Sequence, residues 1–120
     1  MAEISIQLTI PGDSNFESLQ NDPIQFLKLL STEQQRLIDD HVVGQLDDKD
    51  GAPTLTDFSV SNIIFDPVTL KGSFRLHFKI SRQFCCSDIS SCQTDYIDFN
   101  FTKESVKIYA TGSYTLWLIQ

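Results

Sequence analysis

Cys85, Cys86 and Cys92 lie close together in the chain, with Asp88 between them and His77 upstream. Three thiolates plus an imidazole or carboxylate would make a ligand set for tetrahedral zinc. The spacing argues against it. Zinc loops favour Cys-x-x-Cys pairs, and adjacent Cys85 and Cys86 do not both turn easily to one ion. His77 precedes them along a segment that reads as strand, about 25 Å of extended chain. The cysteines are read as free loop thiols, with a disulfide from Cys92 and a zinc site as the alternatives, and no metal or cofactor is expected. A Cys–His nucleophilic pair would need thiol and imidazole within hydrogen-bonding reach. Nothing in the spacing brings His41 or His77 to a cysteine.

Two further groups carry charge in a pattern. Asp48, Asp50, Gly51 and Asp57 match positions 3, 5, 6 and 12 of a calcium loop. Position 1 would be Leu46, position 12 is Asp rather than Glu, and a strand follows, so a solvated acidic connector is the better account. The other group is Arg75, His77 and Lys79, which alternate with Phe74, Leu76, Phe78 and Ile80. Strand side chains point to opposite faces in turn, so this run has one apolar and one basic face. A later strand offers Tyr96, Asp98 and Asn100 outward, and the next offers Lys107 and Tyr109. If these strands are neighbours, Asp98 can meet Arg75, His77 or Lys79 across the ladder. Such a face is either solvated or a partner surface, because Tyr and Arg on a rigid sheet anchor interfaces well.

The elements that must hold these residues follow in order. Glu3–Ile10 alternates Ile4, Ile6, Leu8 and Ile10 with polar residues, a half-buried strand ended by Pro11-Gly12. Asp13–Asn21 reads as a loop with room for one helical turn. Asp22-Pro23 starts a helix, with a capping carboxylate before proline at the first position. Ser31 with Gln34, and Thr32 with Gln35, have capping-box spacing, so the helical region breaks near Ser31 and its second part ends at Gly44. After the connector come strands over Leu55–Phe65, Leu70–Phe84 and Thr94–Thr102, with a Ser- and Cys-rich loop over 85–93. Ser105–Ala110 follows, then a turn or bulge at Thr111-Gly112 into Ser113–Ile119.

Strand, helices and then successive strands imply an α+β domain over residues 1–120. The expected form is an antiparallel meander of about five or six strands with one or two helices packed on one face. A curved sheet wrapped on its helix would make the architecture similar to that of cystatin-like domains.

The totals narrow the function. A net charge of −7 disfavours a nucleic-acid interface, since phosphate contacts need clustered Lys and Arg. No apolar run approaches the ~18 residues that span a bilayer. The first residues alternate like a strand and lack the basic and apolar regions of a signal peptide, so a cytoplasmic location is expected. The function expected is therefore non-enzymatic protein binding, of the inhibitor or immunity-protein type, directed at a basic partner. Arg75, His77, Lys79, Tyr96, Asp98 and Tyr109 would form its surface, and Asp47, Asp48 and Asp50 would supply a steering field. The alternative is a small-ligand or enzymatic pocket between helices and curved sheet, with His41 or His77 as acid–base group.

Overall fold

A computed structural model describes residues 3–10, 16–46, 52–83 and 90–114. Five strands and three helices follow one another as β1 (Glu3–Thr9), α1 (Phe16–Gln20), α2 (Pro23–Leu27), α3 (Thr32–Gln45), β2 (Thr54–Asp66), β3 (Lys71–Gln83), β4 (Ser90–Glu104) and β5 (Lys107–Ser113). The strands form one antiparallel sheet in the order β1-β5-β4-β3-β2. Strands β2 to β5 are a meander, and β1 returns to pair with β5, so the class is α+β as the element order implies. Among the described residues the helices number three rather than one or two, because Phe16 and Leu19 bury one face of the short α1.

The caps act as the residue types demand. Asp22 accepts a hydrogen bond from the Gln25 amide at 3.3 Å, with Pro23 opening α2. Ser31 accepts from the Gln34 amide at 3.2 Å and starts α3. Gly44 does not end that helix. The chain leaves α3 one residue later, at an extended Leu46 whose buried side chain turns into the core.

The core lies between the helices and one sheet face, and aromatic rings fill much of it. Phe26 of α2 sits 5.0 Å from Phe74, and Phe16 of α1 sits 4.4 Å from Phe65 and 5.6 Å from Phe101. A void of about 10 Å³ lies there, lined by residues including Ile6, Leu8, Phe26 and Val60. That is no more than one water needs.

Two bulges shape β2. Its register against β3 slips between Thr56 and Ser59 and again between Ser61 and Ile64. Asp57 and Asn62, at these slips, have φ of 54° and 55°, a left-handed conformation that Asp and Asn tolerate better than most residues. Each bulge flips the phase of the alternation. Leu55 faces the core, then Phe58 and Val60, then Ile63 and Phe65.

The sheet curls. The Gln7 amide on β1 donates to Gln34 Oε1 at 3.1 Å, and the Leu55 amide on β2 donates to Asp39 Oδ1 at 3.0 Å. β1 and β2 are the two edge strands, yet both meet α3. A flat five-strand sheet would hold its edges about 19 Å apart, wider than the ~10–12 Å girth of a helix. Helix α3 thus fills the mouth of a partly closed sheet.

Strand β5 runs unbroken through Thr111 and Gly112, where a turn or bulge was expected. Gly112 serves close packing instead: a Cβ there would lie 2.9 Å from the Asp98 carbonyl oxygen and from both Ile97 and Phe99. Likewise Ser90–Gln93, expected in a loop, extend β4, with Cys92 paired to Ser81 in the ladder. Among the described residues, no helix is long and apolar enough to cross a membrane.

Candidate functional site on the outer sheet face

The face of β3 and β4 turned away from the helices gathers most of the singled-out residues. Phe74, Leu76, Phe78 and Ile80 are almost wholly buried on the inner face, which sends Arg75, His77 and Lys79 outward. The register sets Arg75 opposite Asp98 and His77 opposite Tyr96. Arg75 grips Asp98 with two bonds, Nε to Oδ1 at 2.8 Å and Nη2 to Oδ2 at 3.1 Å. The same guanidinium lies 4.0 Å above the centre of the Tyr96 ring. Fork geometry and ring stacking fix the cation as lysine would not. The hydrogen bonds to Asp98 hold the Arg75 guanidinium above its already high ordinary pKa.

Sequence reasoning missed the fifth member of this group. Ser61, carried on β2 between the two bulges, lies opposite Arg75, and its Oγ is 2.6 Å from His77 Nε2. Inferring it would have required knowing that a bulge rephases β2. The His77 and Tyr96 rings are 6.2 Å apart, so Ser61, His77, Tyr96, Arg75 and Asp98 form one continuous band across three strands. A serine and histidine in contact are two parts of a nucleophilic site. Here they stand on an open sheet face, beside Arg75 paired with Asp98.

Lys79 stands apart from that band. Its Nζ is 3.4 Å from Asp57 Oδ2, an exposed pair made available by the first bulge. Tyr109 faces outward on β5 opposite Thr102, six ladder positions from the level of Tyr96, about 20 Å along the sheet. Asp47, Asp48 and Asp50 lie outside the described residues, as do Cys85, Cys86 and Trp117. Asp57, the last position of the calcium pattern, belongs to a β-bulge. Among the described residues no three His, Cys, Asp or Glu side chains gather where they could hold a metal ion. His41 sits within α3, where burial lowers its pKa, and Nε2 meets no hydrogen-bond partner among the described residues.

One polar group lies on the inner side. Asp95 is 6% exposed; its Oδ2 accepts from the Tyr114 hydroxyl at 2.6 Å and its Oδ1 from the Tyr96 amide at 2.9 Å. Burial, followed by the bond to Asp95, pushes the Tyr114 pKa well above the ordinary tyrosine value. Alternation could have revealed this, since Asp95 shares parity with Ile97, Phe99 and Phe101. The role is structural: the pair ties β4 to the chain leaving β5, directly beneath Tyr96.

No protein-family model, curated protein or solved structure matches the chain.

Proposed function

We propose that the chain is a non-enzymatic protein-binding domain, of the inhibitor or immunity-protein type, that neutralises a basic partner. The observation supporting this is the band of Arg75, Tyr96, Asp98, His77 and Ser61, held across three paired strands on the face away from the core. Tyr and Arg locked by neighbours lose little freedom on binding and make strong anchors. The net charge of −7 favours charge-steered encounter with a cationic protein, Asp47, Asp48 and Asp50 adding to the field. The domain acts in the cytoplasm by occluding its partner's working surface.

The test is a paired capture from the native host, with wild-type protein and a Tyr96→Ala variant as baits and mass spectrometry as readout. A basic protein retained by the wild type and lost by the variant is expected. Identical captured sets from the two baits would refute the assignment of this face. Replacing Asp47, Asp48 and Asp50 by Asn should slow association at low salt, and unchanged on-rates would remove the steering role.

A further inference from the structure

A second site lies on the same outer face, nearer the β2–β3 turn. Strands β3, β4 and β5 frame a shallow depression of about 440 Å³, floored by Gly72 and Phe101 and with Lys71, Asn100, Thr102, Tyr109 and Thr111 among its lining. The register explains the grouping: Thr102 lies between Lys71 and Tyr109, and Asn100 lies next to Thr111. Lys71 has an acidic neighbour in the ladder, Asp66, but that carboxylate turns back to accept from the Val68 amide at 2.9 Å. Among the described residues Lys71 forms no ion pair. Lys71 is the cation among the residues lining the depression. Tyr109 is 42% exposed and offers part of a ring face, while an amide and two threonine hydroxyls supply neutral donors and acceptors.

We propose that this depression binds a small hydroxylated ring carrying one carboxylate, of the sugar-acid class. The carboxylate pairs with Lys71, the ring's apolar face lies on Tyr109, and the hydroxyls bond to Asn100, Thr102 and Thr111. One lysine matches a monoanion, and the open, shallow form suits a ligand that lies flat on the sheet with one face in water. The site is independent of the protein-binding reading, which rests on Arg75 and Tyr96.

The test is an amide-shift titration of the whole chain with D-glucuronate, run beside D-glucose and acetate. Saturable shifts at Lys71, Asn100, Thr102, Tyr109 and Thr111 are expected, with D-glucose and acetate each weaker by about tenfold or more. Lys71→Gln and Tyr109→Leu, both at exposed positions, should each weaken glucuronate binding with the rest of the amide spectrum unchanged. Absence of saturable shifts up to about 50 mM overturns the proposal, as does unaltered binding by Lys71→Gln. Acetate binding as tightly as glucuronate would also overturn it, since ring and hydroxyls would then contribute nothing.

Discussion

Replacing Tyr114 with Phe removes one oxygen and leaves ring volume intact, so the change isolates the hydrogen bond to Asp95. Tyr114 is 1% exposed and Asp95 6%, which leaves Oδ2 without its donor and little water to replace it. A hydrogen bond to a charged group contributes ~1.5–3 kcal/mol, and a loss of about 2 kcal/mol is expected. For 120 residues the unfolding entropy is about 0.25 kcal/mol/K, so Tm should fall by roughly 8 °C at pH 7. The effect has a pH signature. The folded state holds the Tyr114 proton more tightly than the unfolded chain, whose tyrosine titrates near pH ~10. The stability it contributes is complete below that pH and drains away as pH rises above it. At pH 11 ionisation of the unfolded tyrosine is worth about 1.4 kcal/mol, so the gap between wild type and Tyr114→Phe should shrink to about 0.6 kcal/mol. Urea unfolding followed by circular dichroism at pH 7, 9 and 11, with reductant present, measures this. Equal stability at pH 7, or a gap that stays constant with pH, refutes the reasoning.

Other perturbations test the frame. Gly72→Ala would drive a Cβ into the Ile64 carbonyl oxygen and to 2.5 Å from the Phe101 ring; a loss of ~1–3 kcal/mol in urea unfolding is expected. Asp39→Ala strips the Leu55 amide of its acceptor and should cost about 1 kcal/mol, with faster amide exchange at Leu55 as the local readout.

The legible parts of this fold are those where one local rule acted alone. Strands β1 and β3 pack one face against the core without interruption, so strict alternation showed both their extent and the outward set of Arg75, His77 and Lys79. The break before α3 was readable because Ser31 and Gln34 meet the capping geometry directly. β2 was less transparent. Its residues change face twice, and although Asp and Asn tolerate a left-handed turn, nothing in the sequence set Asp57 and Asn62 apart from the chain's other Asp and Asn residues. Gly112 was ambiguous in principle, since a glycine needed for close packing looks the same as one needed for a turn. Of the site, parity put Asp98 within reach of Arg75, His77 or Lys79 if the strands were neighbours, and the register selects Arg75. Ser61 depended on a bulge, and the placing of β1 beside β5 depended on pairing across nearly the whole chain, which no local pattern encodes.

Helix α3 guards both borders of the sheet, through Gln34 at one and Asp39 at the other. Uncovering them is therefore one event rather than two. A monomer that loosens this helix gains a pair of adhesive rims pointing in different directions. Like rims joined by a two-fold axis close into a pair, whereas unlike rims joined head to tail add end on end, so both modes of strand pairing pass through the same loosening of α3.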